Sequence, residues 1–416
     1  GKTEAALLLY ETLAARGATG LYFALPTQAT SNQILGRVQR FLESAYPGEV
    51  HELHLVHGDA GLSERYERLK ERAFSVRSVD GPARGEGGAV ADSWFSRSKR
   101  ALLAPVAVGT VDQALLGVLG VRHAFLRLHA LAGKVVVIDE VHAYDTYTSG
   151  LLARLLAWLR ALGTTVVLLS ATLPASRRAA LTRAFGGTAP QPCPYPRLTT
   201  VTGGRSFTET FVPKREPKSV HVRWRDGATL PEALATRLER GGCVAWIVNT
   251  VRAAQQTYRT LRRLKADGVI REGVAIDLIH ARFPFDARAA RERAAEIQFG
   301  PDGAKRPDAA ILVGTQVLEQ SLDLDFDLMI TELAPVDLVL QRAGRLHRHV
   351  RPKELRGAFP EAELWVQRPD DEDGASGPSF GASKFIYAES VLLRSWLALR
   401  ARDTILLPTD IEPLIE

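Results

Sequence analysis

The sequence has 416 residues, of which 46% are apolar and 24% are charged. Because a single hydrophobic core seldom grows beyond about 250 to 300 residues, we expect more than one domain. Lys and Arg number 53 against 47 Asp and Glu, which gives a net charge of +6. This excess favours polyanionic partners such as nucleic acid, although the basic residues do not form the blocks typical of purely electrostatic binders.

Cysteine usage and hydropathy exclude several classes of protein. Cys193 and Cys243 are far apart in the sequence, which indicates neither a disulfide framework nor a zinc module of paired cysteines. No apolar run approaches the ~18 residues of a membrane-spanning helix, and no signal peptide opens the chain. We therefore expect a cytoplasmic protein without a membrane segment.

Short Val, Ile and Leu runs alternate with longer Ala-, Leu- and Arg-rich segments of helical period. This alternation predicts an α/β fold whose parallel strands are buried between crossover helices. In the first half of the chain we predict strands at 20–25, 135–138 and 166–169. Residues 186–218 are rich in Gly, Pro, Thr and Lys and are expected to connect two domains.

The alternation restarts in the second half with "CVAWIVNT", "AIDLIHARF", "AAILVGT" and "FDLMITEL". These runs predict a second α/β unit that extends to about residue 350. An acidic, Gly- and Ser-rich linker follows at 368–383, and residues 384–403 predict an amphipathic helix. The expected domains are 1–210, 211–367 and 368–416, the last being a linker and the start of a truncated C-terminal region.

Two adjacent carboxylates, Asp139 and Glu140, follow the predicted strand in "KVVVIDEVHAYD". Ligands of open α/β sheets bind outside the carboxyl ends of the strands. One carboxylate there can hold Mg²⁺, while its neighbour orients and deprotonates the water that attacks a γ-phosphate. Taken alone, the pair is more typical of a helix N-cap followed by an acidic first turn, so its interpretation depends on the other motifs.

The opening residues Gly1, Lys2 and Thr3 are typical of the end of a phosphate-binding loop that leads into a helix. Lys2 would contact the β- and γ-phosphates, and the Thr3 hydroxyl would ligate Mg²⁺. The sequence starts within this loop and without Met, so we expect a fragment with weak ATP hydrolysis.

Two more motifs carry polar groups. Ser170 and Thr172 end a strand in "VVLLSATLP", and together with His142 of "DEVH" they are expected to couple the nucleotide site to domain movement.

The second motif, "QRAGRLHRH", spaces Gln341, Arg345 and Arg348 four and three residues apart, which predicts one helical face. Arginines on such a face can stabilise the charge of a transferring phosphoryl group. We therefore predict that these three residues act in catalysis.

These four motifs, in this order, resemble those of superfamily two helicases. Longer strings narrow the resemblance: "LPTQATSNQ", "LLAPVAVGTVDQALL", "LIHARFPF" and residues 311–349. Together they resemble the CRISPR-associated type I effector helicase-nuclease, a DEVH enzyme. The resemblance covers nearly all of residues 1–350.

The resemblance implies two tandem RecA-like domains with parallel sheets, ATP and Mg²⁺ in the interdomain cleft, and single-stranded DNA running across both. The implied ATPase residues are Lys2, Thr3, Asp139, Glu140, Arg345 and Arg348, with Gln341 and Asp323 supporting the nucleotide and the arginines. The implied DNA-facing positions are Pro26, Thr27, Gln28, Gly109, Thr110, Asn249, Thr250 and Thr315. Since Thr and Asn at strand ends also cap helices, each of these has a purely structural alternative.

The implied activity is ATP-dependent translocation on single-stranded DNA, unwinding target DNA recruited by a guide-RNA surveillance complex in CRISPR interference. Members of this family act with an HD-type nuclease, fused upstream or on a separate chain. The ten histidines here include no His-Asp dipeptide, and "HELHLVH" (51–57) lacks a metal-binding spacing. Alternation in a strand would place His51 and His54 on opposite faces, so we expect no nuclease site in this sequence.

Two other functions remain open from the residues alone. A general DNA or RNA helicase would share the ATPase motifs without needing the string at 318–337. A non-enzymatic interaction or scaffold protein would be compatible with an incomplete phosphate loop.

Overall fold

The computed structural model describes residues 2–58, 60–78, 88–95, 100–171, 173–212, 216–303, 305–320, 322–371 and 377–416. Two of the predicted site residues, Gly1 and Thr172, lie outside these ranges. The chain divides into two compact units, Gly1–Val212 and Pro213–Glu416. Each unit has its own sheet and its own hydrophobic cores.

The first unit combines seven α-helices with eight strands in its described residues. The helices are α1 (Lys2–Ala14), α2 (Gln28–Ala45), α3 (Glu64–Ser78), α4 (Val111–Leu115), α5 (Ala124–Leu131), α6 (Thr146–Ala161) and α7 (Ala175–Ala184). The strands are β1 (Leu21–Leu25), β2 (Val50–Val56), β3 (Gly88–Val90), β4 (Val106–Thr110), β5 (Val135–Ile138), β6 (Thr165–Leu168), β7 (Arg197–Thr202) and β8 (Arg205–Thr210).

Six of these strands form one parallel sheet in the order β3-β2-β4-β1-β5-β6. Strand β1 lies between β4 and β5, with Leu21 opposite Val106 on one side and Val135 on the other. Successive residues of β1 and β5 alternate between two cores, one on each face of the sheet. This arrangement explains why both strands are apolar throughout, as expected for parallel strands covered on both sides.

The region predicted to connect the domains contains structure of its own. Strands β7 and β8 pair as an antiparallel hairpin, with Arg197 opposite Thr210 and Thr202 opposite Arg205. Residues 186–218 were predicted to connect two domains, and within them residues 197–210 form this hairpin, which belongs to the first unit. The sequence did not predict these two strands, because both are rich in Thr and Ser and contain few of the apolar residues that usually mark a strand.

The second unit has the same α/β alternation. Its helices are α8 (Leu230–Leu238), α9 (Val251–Ala266), α10 (Phe285–Phe299), α11 (Val317–Gln320), α12 (Val336–Ala343), α13 (Glu389–Leu399) and α14 (Ile411–Ile415). Its strands are β9 (Lys218–Arg225), β10 (Gly242–Ile247), β11 (Ala275–Ile279), β12 (Ala309–Gly314), β13 (Leu328–Thr331), β14 (Glu363–Gln367) and β15 (Thr404–Leu407).

These seven strands form one sheet in the order β11-β12-β10-β13-β14-β9-β15, parallel except for β15, which runs antiparallel to β9. Helices α13 and α14 pack against α12. The described residues beyond 367 therefore belong to the second unit, whereas the sequence led us to expect a separate region there. The α/β fold is confirmed, with a parallel sheet in the first half and a sheet that is parallel except for its edge strand in the second.

A buried network of charges joins three segments of the second unit. The Asp325 carboxylate pairs with Arg351 at 2.6 Å and with Arg356 at 2.9 Å, while Asp327 pairs with Arg306 and Arg356, both at 2.8 Å. Burial opposes ionisation of Asp325, but the neighbouring guanidinium groups keep its pKa below the ordinary value. Two carboxylates shared among three arginines satisfy the condition under which charges are tolerated inside a protein.

Six of the seven residues of the histidine-rich string "HELHLVH" lie in strand β2. His54 is fully buried, where its Nδ1 lies 2.9 Å from the Tyr66 hydroxyl and its Nε2 lies 3.0 Å from Glu52. Its ring is thus held by a phenol and a carboxylate. Within the described residues there is no group of three or more His, Cys, Asp or Glu placed to hold a metal ion. No helix in the same residues has the length and apolar character needed to cross a bilayer.

Lys134, just before β5, has a buried amine that connects β5 to the segment before β4. Its Nζ donates to the carbonyls of Leu102 at 2.7 Å and Ala104 at 2.5 Å. Burial lowers the pKa of Lys134 from 10.5 to about 7. Between these two values the unfolded chain holds a proton that the folded chain has released, so this residue makes the free energy of unfolding rise with pH.

We predict that Lys134→Met removes this pH dependence. Relative to the variant, the wild-type chain should gain stability from pH 7 to pH 8.5 with a slope approaching ~1.4 kcal/mol per pH unit. Urea denaturation at several pH values measures the difference. Lys70→Met, which removes a lysine paired with Glu67 on the surface, is the control and should give a constant difference from wild type. A constant difference for Lys134→Met as well would contradict the prediction.

Candidate nucleotide site and nucleic-acid interface

The exit of β5 places Asp139 and Glu140 at the carboxyl edge of the first sheet. The Asp139 N–H donates to the Ala24 carbonyl of the neighbouring strand at 2.9 Å, and its carboxylate accepts the N–H of Glu140 at 2.9 Å. Glu140 has φ = 52°, in the left-handed region that non-glycine residues seldom occupy. Backbone conformations of this kind cost free energy and are concentrated at functional sites.

Lys2 brings the second predicted motif to these carboxylates. It is the first residue of α1, and its Nζ lies 3.5 Å from Glu140 Oε1. Thr3 follows in the same helical turn and is buried. Residues that are about 137 positions apart in sequence are thus assembled at one site within the first unit.

The electrostatics of this site favour a bound cation. Burial and the adjacent Glu140 raise the pKa of Asp139 to about 6, and Lys2 lowers it only in part. Two carboxylates in sequence, one of them buried, need more positive charge than a half-exposed lysine supplies. Carboxylate and hydroxyl oxygens are the ligands that Mg²⁺ prefers, so Asp139 and Thr3 are chemically suited to it.

His142 connects this site to the neighbouring strand. Its Nδ1 lies 3.0 Å from the Ser170 hydroxyl, after β6, and 3.4 Å from Glu140 Oε2. The structure therefore places two of the three predicted coupling residues in contact. Arg177 of α7 was not predicted; its guanidinium donates to the carbonyls of His142 at 3.1 Å and Tyr144 at 2.6 Å and so braces this turn.

The predicted DNA-facing positions of the first unit lie at the ends of β1 and β4. Thr27 is the N-cap of α2, and its hydroxyl accepts the N–H of Thr30 at 3.2 Å; Pro26 and Gln28 flank it and are half-buried. A side chain at Gly109 would meet the Val56 carbonyl at 2.3 Å, so packing alone requires glycine. Thr110 is buried, and its carbonyl accepts the Tyr22 hydroxyl at 2.8 Å. Capping and packing thus account for Thr27 and Gly109.

In the second unit, the predicted helical face of Gln341, Arg345 and Arg348 does not exist. Helix α12 ends at Ala343, so Gln341 is helical and both arginines lie beyond the helix. After Gly344 the chain pairs instead with Phe326, which donates to the Arg345 carbonyl at 3.1 Å and accepts from the N–H of His347 at 3.0 Å. This bridge to a distant segment, which the local spacing cannot reveal, ends the helix.

The two arginines consequently have different surroundings. Arg345 is buried, and its guanidinium donates to the carbonyls of Glu319 and Leu322, so it fixes the positions of these two residues. The side chain of Arg348 is 43% exposed and pairs with Asp323 at 2.6 Å. Of the predicted catalytic arginines, Arg348 is the one that reaches solvent.

Asn249 also differs from expectation. Its side chain is 2% exposed and donates to the Leu333 carbonyl at 2.7 Å and the Ser383 hydroxyl at 2.8 Å. Its amide is therefore used inside the unit, and the prediction that it faces DNA is wrong for this side chain. Thr250 caps α9 by accepting the N–H of Ala253 at 3.1 Å, and Thr315 is buried at the end of β12.

A fully buried guanidinium, Arg342, lies at the centre of these contacts and was missed in the sequence. Its Nε donates to Glu319 at 2.7 Å, and its Nη2 donates to Asn249 Oδ1 at 3.1 Å. It also donates to the hydroxyl of Thr331 and to the Glu332 carbonyl. Its position three residues after the buried Val339 in a helix was the available signal, because that spacing shares one face.

Comparisons with known proteins point to one family, one of them over part of the chain and others over all of it. Residues 240–351 match the family described as CRISPR-associated nuclease/helicase Cas3, C-terminal. A CRISPR-associated endonuclease/helicase Cas3 of Thermus thermophilus is 46% identical over 100% of this chain and 48% of its own length. The crystal structure of T. fusca Cas3-ATP superposes with a TM-score of 0.84 at 34% identity, covering 100% of this chain and 48% of that one.

The predicted resemblance to this helicase-nuclease family is confirmed. The chain spans about half the length of the Cas3 relatives it matches. A chain of a CRISPR RNA-guided surveillance complex in a pre-nicking state also matches, with a TM-score of 0.66, 31% identity, and coverage of 99% of this chain and 50% of that one.

We predict that Arg342→Met destabilises the second unit by ~3–5 kcal/mol, because Glu319 would remain buried without its counterion. The double variant Arg342→Met/Glu319→Leu should recover part of this loss, since it removes both charges. Urea denaturation measures both. Arg348→Met, which breaks an exposed pair, is the control and should cost ~1 kcal/mol or less. The single variant Glu319→Leu completes the comparison. If the double variant lost as much free energy of unfolding as Arg342→Met and Glu319→Leu lose together, this account would be contradicted.

Proposed function

We propose that this chain is the ATP-driven helicase core of a CRISPR-associated helicase-nuclease and moves along single-stranded DNA. The observation that carries the proposal is the assembly of Lys2, Asp139 and Glu140 at the carboxyl edge of one parallel sheet. Its support is the similarity to Cas3 proteins over the full chain, including a Cas3-ATP structure.

Each residue at this edge has a chemical task in the proposed hydrolysis of ATP. Lys2, at the N-terminus of α1, is suited to the β- and γ-phosphates, because cationic and N–H groups converge at a helix N-terminus. Glu140, whose side chain is partly exposed, orients the attacking water and accepts its proton. Asp139 and Thr3 would hold Mg²⁺, which when bound neutralises phosphate charge.

His142 and Ser170 extend this site towards β6. Because His142 lies within 3.4 Å of Glu140 and 3.0 Å of the Ser170 hydroxyl, a change at Glu140 can reach the end of the next strand. We propose that this contact, together with Thr172, couples the state of the nucleotide to movement of the protein.

In the second unit, we propose that Arg348 stabilises the charge that develops on the transferred phosphoryl group. Its guanidinium is exposed and oriented by Asp323. Arg345 takes part by holding the segment that carries Asp323, and Gln341 of α12 supports the nucleotide.

Strand ends of both units supply the proposed grip on DNA: Pro26, Thr27, Gln28, Gly109, Thr110, Thr250 and Thr315. Their hydroxyl and backbone groups suit phosphates and do not distinguish bases, so binding should be independent of sequence. We further propose that a guide-RNA surveillance complex recruits the protein to its target and that an HD-type nuclease acts with it.

We predict that Glu140→Gln lowers ATP turnover by about 10² or more while Mg²⁺-ATP still binds, because the group that orients water is lost and the phosphate contacts remain. Phosphate release with and without single-stranded DNA measures turnover, and a fluorescent ATP analogue measures affinity. Glu71→Gln, on the exposed side of α3, is the control. Unchanged turnover in Glu140→Gln would exclude this residue from catalysis.

We predict that Arg348→Ala lowers turnover by on the order of 10² while changing nucleotide affinity little, because the charge it neutralises develops in the transition state. The same two assays apply. Arg240→Ala, an exposed arginine elsewhere in the second unit, should behave as wild type. Normal turnover combined with weaker DNA binding would instead assign Arg348 to the nucleic acid.

A further inference from the structure

Helix α9 (Val251–Ala266) carries a row of exposed arginines. Its 16 residues include Arg252, Arg259, Arg262 and Arg263, as well as Lys265, and no acidic residue. At 3.6 residues per turn, Arg252, Arg259 and Arg263 fall within about 40° of one another and span about 16 Å along the axis. These three arginines, which we name the α9 row, are all exposed.

The opposite side of the helix fixes the row in place. Helix α9 packs on β11 and β12, and its Ala254 and Leu261 are fully buried in a core of the second unit. Lys265 turns away from the row and donates to the Val274 carbonyl at 2.6 Å. The row is therefore presented on a rigid support rather than on a loop.

Few counter-charges neutralise the row. Among the described residues, Arg263 has an exposed ion pair with Asp267 at 3.6 Å, and no ion pair is formed by Arg252 or Arg259. Arg259 and Arg263 are four residues apart, a spacing at which like charges destabilise a helix by roughly 0.2–0.5 kcal/mol. A polyanion lying along the helix would relieve this repulsion.

We propose that the α9 row is a surface for the sugar-phosphate backbone of duplex DNA. Guanidinium groups bind phosphates through paired N–H donors. A duplex is stiff and presents its phosphates in regular rows, which match a straight row of guanidinium groups held by a packed helix, whereas a flexible single strand has no fixed row of phosphates. The inference rests on the proposed function in one respect, that DNA is the substrate.

The test is the affinity of the 416-residue chain for a short fluorescent duplex, measured by anisotropy without ATP. The triple variant Arg252→Gln/Arg259→Gln/Arg263→Gln should bind at least ~10-fold more weakly near 0.1 M salt. The plot of the logarithm of the association constant against the logarithm of the salt concentration should become less steep by about 2 to 3. The control Arg223→Gln/Arg240→Gln/Arg394→Gln changes the net charge equally at three exposed sites elsewhere on the second unit and should bind nearly as well as wild type.

Two further measurements separate this proposal from others. The melting temperature of the triple variant should stay close to that of wild type, because relief of the helix repulsion offsets loss of the exposed Arg263–Asp267 pair, so weaker binding would not reflect unfolding. Its affinity for an oligothymidine single strand should change much less than its affinity for the duplex. An unchanged duplex affinity, or an equal loss for both DNAs, would overturn the proposal. Since no ATP is present, failure of the ATPase predictions would leave this result interpretable.

Discussion

A strand inside a parallel sheet that is covered on both faces has room for few polar side chains, and this constraint shapes both units. Strand β5 is buried along its whole length, so the first carboxylates the chain can place are those that follow Ile138. The same holds in the second unit, where Asn249 follows β10 and Glu332 follows β13. Parallel pairing then brings the exits of neighbouring strands to one edge, which makes that edge the polar side of each sheet.

This logic explains how much of the site the sequence could predict. Asp139 and Glu140 were predictable because a visible apolar run ends at them, and Lys2 because its motif opens a helix. The arginines were not, because the end of α12 depends on hydrogen bonds to Phe326, a residue from a different segment. The spacing of residues along one helix contains no information on where a distant segment, such as that of Phe326, will form hydrogen bonds with the chain. The side-chain direction of Asn249 was unpredictable for the same reason, since its partners Leu333 and Ser383 are far along the chain.

Buried guanidinium groups give the second unit much of its internal connectivity. Arg342 joins α11, the end of β10 and the end of β13, and the network around Asp325 and Asp327 joins the segments before β12 and after α12. Such groups add little net stability, because desolvation offsets the attraction. Their effect is to make alternative packings costly, since any shift would leave a charge without its partner. The three arginines of one short motif therefore differ in their surroundings. Arg342 joins elements of the core, Arg345 donates to the carbonyls of Glu319 and Leu322, and Arg348 reaches solvent.

The pairing of β15 with β9 has a consequence for dissecting the protein. Four residues close to the C-terminus, Thr404–Leu407, cover the edge of a seven-stranded sheet whose other strands are all parallel. A shortened chain ending near residue 367 would retain every motif and yet present the N–H and C=O groups of β9 to other molecules. Such a shortened chain would be prone to associate edge to edge. Boundaries for expression are therefore better set by completion of the sheet than by the last recognisable motif.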